Sequence, residues 1–190
     1  MTAEPRQAVV VYPGGIRARY RWAGSGQGPA VFALSEAGGV LHEYGGLVSP
    51  SFERLCRAEL RVESPAGTWA ARFASPIFDA PAGHAWDTPG LLVVTYGFFA
   101  YALDWRSGAL RWSRRSGSPL VAVLGSSRLE HVIVQAEVET FAIEPDGEVR
   151  WRVAHSDVVA EAELVGGRLV LSSYGGLMSV LDPATGRPAA

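Results

Sequence analysis

Residues 91–112 read LLVVTYGFFAYALDWRSGALRW. Leu91 to Thr95 is an apolar strand, Tyr96-Gly97-Phe98 a tight turn, and Phe99 to Leu103 a second strand. Asp104-Trp105-Arg106-Ser107-Gly108 makes a polar turn, and Ala109 to Arg115 a third strand carrying Trp112. The same order returns as HVIVQAEVETFAIEPDGEVRWRV from His131 and as RLVLSSYGGLMSVLDPATGR from Arg168. Gly108, Gly147 and Gly186 stand 39 residues apart (147−108 and 186−147), and Trp112 and Trp151 keep that spacing. Three copies at one period indicate a repeat architecture, in which each unit buries its apolar face against the next.

Each unit restarts with a short strand: Ser75 to Asp79, Ser118 to Ala122 and Ser156 to Ala160, the first followed by a long loop from Ala80 to Gly90. That gives four strands per unit, with clear repeats at 75–115, 118–153 and 156–187. No ten-residue stretch shows a 3.6-residue apolar period, so the fold class is all-β. Upstream, residues 29–73 form a divergent copy: Val40 to Leu47 aligns with Val170 to Leu177, and Gly67-Thr68-Trp69 stands where Gly108 and Trp112 stand. Ser49 to Arg57 is an insertion with a short helical turn at 52–56. Ala23 to Gly28 is a loop by composition; a phosphate-binding loop would open a helix, and PAVFAL supplies no helix pattern. Residues 7–22 read as a hairpin. Ile16, Ala18, Tyr20 and Trp22 share one face, and Arg17, Arg19 and Arg21 the other. Trp22, Trp69, Trp112 and Trp151 are expected at equivalent strand positions, as packing residues.

Four short strands repeating about every 40 residues are the blade of a β-propeller. The run Tyr101-Ala102-Leu103-Asp104 with Gly108 and Trp112 resembles the repeat of quinoprotein-like propellers, the group that includes PQQ-dependent dehydrogenases and outer-membrane assembly propellers. Phe141 to Glu144 with Gly147 and Trp151, and Val180 to Asp182 with Gly186, resemble it as well. The resemblance covers residues 70–187 clearly and 29–69 weakly; Phe98 and Val138 replace a turn glycine that Gly176 preserves. It implies a β-propeller-like ring of four to five four-stranded blades within a single domain, 1–190. The expected closure pairs Ile16 to Trp22 beside Leu177 to Leu181. The alternative is an open half-propeller completed by a partner. PQQ-dependent members commonly carry a vicinal cysteine pair near the cofactor, which Cys56 alone cannot provide, so no cofactor is expected.

The chain has 190 residues, 48% of them hydrophobic and 19% charged, which is enough for a packed core without disulfides or metal. The formal net charge of −2 argues against nucleic acid or an anionic membrane as partner. All basic residues are arginine, and there is no lysine or asparagine, which removes P-loop and Schiff-base lysine chemistry. The Ala-, Gly- and Arg-biased usage looks like that of a GC-rich bacterial genome. A single cysteine, and an N-terminal apolar run too short for a signal peptide, lead to the expectation of a cytoplasmic protein.

His42-Glu43 lacks the second histidine of a zinc-protease motif, because position 46 is Gly. His42, His84, His131 and His155 have no partners at ligand spacing and read as surface or strand-end residues; no metal site is expected. No G-x-S-x-G elbow occurs. Trp86 and Trp105 fall outside the packing series. Trp105 lies in a polar turn beside Arg106, and Trp86 lies in the 80–90 loop beside Asp87. Tryptophan and arginine on loops are typical interface anchors, so Trp86, Asp87, Trp105 and Arg106 are the candidate binding residues. The reading is a non-catalytic protein-binding module with a protein partner, an adaptor or immunity-type protein, with self-association compatible. The alternative is a hydrolase or lyase with a dispersed site in the central channel.

Overall fold

The computed structural model describes residues 5–24, 40–44 and 55–189, the segment 40–44 by its backbone. The aligned run 45–47, most of the inserted segment and most of the 23–28 loop lie outside the described residues, as does the side chain of His42. Among the described residues there are sixteen strands and no helix. None is therefore a helix long and apolar enough to cross a membrane.

The first sheet contains β1 (Arg6–Tyr12), β2 (Ile16–Ala23), β3 (Val40–Tyr44), β4 (Cys56–Ser64) and β5 (Gly67–Ser75), in the order β1-β2-β4-β5-β3. All its pairs are antiparallel except β3 with β5. The second sheet is a meander of β6 (Ala82–Trp86), β7 (Leu91–Tyr96), β8 (Phe99–Asp104) and β9 (Leu110–Arg115). The third is a meander of β10 (Leu120–Leu124), β11 (Val132–Ala136), β12 (Glu139–Ile143) and β13 (Val149–Ala154). The fourth has β14 (Val159–Val165), β15 (Arg168–Ser173) and β16 (Met178–Leu181).

The sheets stack face to face, and period-2 alternation decides what each face buries. Ile16, Ala18, Tyr20, Leu60, Val62, Trp69 and Phe73 of the first sheet meet Leu92, Val94, Tyr96, Tyr101 and Leu103 of the second. The opposite face of the second, with Leu91, Val93, Ala102 and Trp112, packs on Val132, Val134, Phe141 and Ile143 of the third. Ile133 then meets Leu169, Leu171 and Leu181 of the fourth. The middle sheets are covered on both sides, which is why β7 and β11 read as continuous apolar runs.

A tryptophan contact recurs at successive junctions. The Trp69 indole N–H donates to the Trp105 carbonyl (3.0 Å), and that of Trp112 to the Pro145 carbonyl (3.1 Å). At the third junction the Trp151 ring sits against Gly186, but its N–H has no partner. His131, buried at the start of β11, reaches the Pro183 carbonyl instead, at 2.8 Å. Gly108, Gly147 and Gly186 lie in the turns after β8, β12 and β16, with φ of 75°, 90° and 70°. The 39-residue spacing from Trp112 to Trp151 and from Gly147 to Gly186 is thus one indole-on-glycine contact made at two junctions.

Three expectations are corrected. The 7–22 hairpin does not close the ring beside β16; it supplies the first two strands of the first sheet, and β2 pairs with β4. The register explains the choice. Ala18, Tyr20 and Trp22 stand opposite Val62, Leu60 and Ala58 on the buried face, while Arg17 and Arg21 stand opposite Glu63 and Glu59 on the other. The edge of β16 is instead met by its own chain, through Asp182 N–H to the Arg187 carbonyl (2.8 Å) and Ala189 N–H to the Val180 carbonyl (2.9 Å). Trp22 is accordingly not equivalent to Trp69, Trp112 and Trp151, since it lies on the second strand of its sheet, whereas they lie on β5, β9 and β13, each reached by the last hairpin of its sheet's antiparallel run. Finally, the opening strand of the second sheet is Ala82–Trp86, not Ser75 to Asp79, because Ser75 ends β5. Pro76 and Pro81, lacking N–H groups, bound the connection between the two strands.

Candidate functional site

Alternate turns of a meander emerge at opposite ends of the stack. One end carries Gly14, Asp87 to Gly90, and the Asp104 to Gly108 turn. There the Asp104 carboxylate accepts the N–H groups of Arg106 (3.0 Å) and Ser107 (3.1 Å), the Ser107 hydroxyl (3.2 Å) and the Arg111 guanidinium (3.0 Å). Burial works against its charge, but these donors prevail and hold the carboxyl below its ordinary range. Trp105 lies over Gly90, so close that a Cβ there would come to 2.8 Å of the indole nitrogen. The Arg106 guanidinium sits 5.6 Å above the Trp105 ring. Trp86, Asp87, Gly90 and Trp105 border one crevice of about 10 Å³, room for no more than a water.

The four sequence candidates are therefore brought to one end, but not all as exposed anchors. Trp86 is the last residue of β6 and only 7% exposed, packed in the core between the second and third sheets. Trp105 is half-buried against the first core, and Asp87 and Arg106 are exposed.

The opposite end carries what the sequence reading missed. Phe78, Val138, Tyr174, Leu177 and Met178 are exposed there, the last three at 78%, 64% and 70%. Leu177 lines a cleft of about 270 Å³ between the third and fourth sheets, together with His155, Asp157, Ser173 and Ser179. Beside it, Gln135, Thr140 and His155 form a chain. The Thr140 hydroxyl donates to Gln135 Oε1, so it receives the N–H of His155 Nε2 (2.6 Å). Gln135 Nε2 passes the chain on to the carbonyls of Ala136 (2.6 Å) and Glu139 (3.2 Å). Burial lowers the pKa of His155, so the ring is held neutral as the Nε2–H tautomer. The signal available in sequence was the run Tyr174-Gly175-Gly176-Leu177-Met178 itself, a glycine turn flanked by large apolar residues.

A larger groove of about 650 Å³ opens at the Trp105 end between the third and fourth sheets, walled by Gly125, Gly166 and Gly167. Its charged residues are Arg128 and Asp182, and Asp182 is occupied by the Ala184 N–H (2.8 Å) and the Thr185 hydroxyl (3.1 Å). No group of three or more His, Cys, Asp or Glu able to hold a metal occurs among the described residues. Cys56 is buried in the first core.

No protein-family model matches the sequence, and no curated protein matches it. Similar solved structures include BamB from Moraxella catarrhalis, at 22% identity and a TM-score of 0.53, covering 70% of this chain and 41% of that one. The dihydro-heme d1 dehydrogenase NirN is similar at 15% identity and a TM-score of 0.55, covering 73% of this chain and 34% of its own. The computationally designed Ika4 protein follows at 12% and 0.52, covering 68% and 85%. The matched part thus spans only 41% of BamB and 34% of NirN, and the likeness is one of fold. With its Trp-to-carbonyl contacts repeating from sheet to sheet, the chain has the fold of the PQQ-type repeat β-propellers.

Proposed function

We propose that this chain is a non-catalytic protein-binding module that engages a protein partner through the loops at the Tyr174 end. The observation that carries the reading is the exposed run Tyr174, Leu177 and Met178 at the turn into β16, of which Leu177 lines the 270 Å³ cleft. Large apolar side chains gathered beside a cleft gain little from water and much from a partner that covers them. An adaptor or immunity-type role is the finer form of the same proposal. The Trp105 end, with Asp87 and Arg106 exposed around a half-buried indole, is the second candidate surface. For the enzyme alternative, the titratable groups on the innermost strands β6, β10 and β14 are His84, Glu161 and Glu163, and among the described residues no group of three acids, histidines or cysteines gathers into a metal-holding cluster.

The test begins with affinity capture of the partner from the host, followed by calorimetry. Leu177→Asp and Tyr174→Ala should each weaken binding by about tenfold or more. Unchanged affinity in both, with loss on Arg106→Ala, would move the site to the Trp105 end.

A further inference from the structure

The two outermost sheet faces of the stack are unlike the three internal junctions, and they are complementary to each other. On the outward face of the first sheet, Arg17 and Arg19 of β2 are exposed and Arg21 is half-buried; Glu63 and Glu59 of β4 stand opposite Arg17 and Arg21, but with Arg57, Arg61 and Arg72 on the same face the described charged side chains there are six arginines against two glutamates. Val9 and Val11 of β1 stand opposite Arg19 and Arg17 on the same face, and both are exposed. On the outward face of the fourth sheet, Glu161 and Glu163 of β14 are exposed beside Val165, with Val170 of β15 paired to Glu163. Arg168, paired with Val165, is the one cation of β14 and β15, so the acidic pair predominates there. The hairpin glycines differ as well. Gly147 and Gly186 lie under the indoles of Trp112 and Trp151 from the preceding sheet, whereas Gly67, in the corresponding hairpin of the first sheet, has open space around it.

We propose that two copies of this chain associate head to tail, the arginine face of each first sheet against the glutamate face of the other's fourth sheet, closing a two-fold ring through two identical contacts. The second and third internal junctions bring innermost strands together, β6 to β10 and β10 to β14, while the first is made through β5 and β7. The same stacking places β14 of one copy opposite β1 and β2 of the other. There Val165 and Val170 meet Val9 and Val11, flanked by glutamate-to-arginine pairs. A contact between two different patches closes only when its rotation returns to the start, and for two copies that fixes the mass at a dimer. This inference uses the outermost sheet faces and shares only Met178, which stands opposite Ser172 on the Glu161 face, with the loop-end reading above; Leu177 lines the cleft instead, so Leu177→Asp should leave self-association intact.

The test is a charge exchange read by native mass spectrometry and sedimentation. The wild-type 190-residue chain is expected to be dimeric at micromolar concentration. Arg17→Glu/Arg19→Glu sets glutamates on β2 against the glutamates of β14, and Glu161→Arg/Glu163→Arg sets arginines on β14 against those of β2. Each variant alone should dissociate, with the dimerisation constant weakened about 100-fold, because like charges then face each other. An equimolar mixture of the two variants should restore the dimer, since both contacts of the mixed pair are again complementary. That restoration also shows that both variants remain folded. A monomeric wild type, a dimer that survives either substitution, variants that stay monomeric when mixed, or a species larger than a dimer would each overturn the proposal.

Discussion

Trp112 and Gly147 are locked together across two sheets: the indole rests on the glycine so closely that a Cβ would come to 2.7 Å of its ring carbon. The same glycine takes a φ of 90°, which L side chains disfavour. Gly147→Ala should therefore lower stability by about 2–4 kcal/mol, combining backbone strain with overpacking. Gly176, at φ 82° with nothing near its Cβ position, isolates the first cost. Gly176→Ala should lose about 1–2 kcal/mol, and urea unfolding of the two variants checks the difference.

The indole N–H groups can be separated from the ring packing. Trp112→Phe breaks the bond to the Pro145 carbonyl, while Trp151→Phe removes an N–H that has no partner. The first substitution should cost about 1 kcal/mol more than the second. Equal losses in chemical denaturation would mean that the contact acts through packing alone.

Trp86 distinguishes core from surface. Because it is buried between the second and third sheets, Trp86→Ala should destabilise by about 3–5 kcal/mol. Arg106→Ala, at an exposed turn, should change melting little. A Trp86→Ala protein with wild-type melting would return that residue to the list of surface anchors.

What could be read from the sequence was whatever the inter-sheet contact imposes on each repeat. A turn that must both reverse the chain and receive an indole admits glycine, so Gly147 and Gly186 keep their period, and Gly108 keeps the same left-handed turn. The alternation of Ile16, Ala18 and Tyr20 marked the buried face of β2 correctly. Alternation identifies a strand's face but not its neighbour, however. The segment between β2 and β4 hid the fact that the two strands belong to one sheet. Trp86 was misplaced because Pro81, Gly83 and Pro89 punctuate its surroundings like a loop, although five residues suffice for a strand there. The Gln135, Thr140 and His155 chain depends on β11 pairing with β12 and on a connection folding back over them, which no local pattern encodes.

The histidines set a pH dependence. Burial lowers the pKa of His155 and of His84, for which the nearby Asp87 acts in the opposite direction. A histidine whose folded pKa lies below its unfolded value binds fewer protons in the folded state. Stability therefore rises with pH through this range, and it falls as pH drops below about 6.5. Melting temperature should be level above pH 7.5 and decline toward pH 5.5. His155→Gln should flatten part of that slope, as differential scanning calorimetry across the range can establish.

The second, third and fourth sheets each form from one uninterrupted stretch of chain, whereas the first must join β2 to β4 across residues 24–55. Loop closure carries an entropic cost that strands joined by tight turns avoid, and folding rates follow the distance in sequence between contacts. The first sheet is consequently the slow step in assembly. Residues 82–189 would reach their stacked form early and present the face of Leu92, Val94 and Tyr96 as a template on which β4, β5 and the N-terminal hairpin condense. Until they do, that apolar face is bare to solvent, and the period before the first sheet docks is when a nascent chain is most exposed to aggregation.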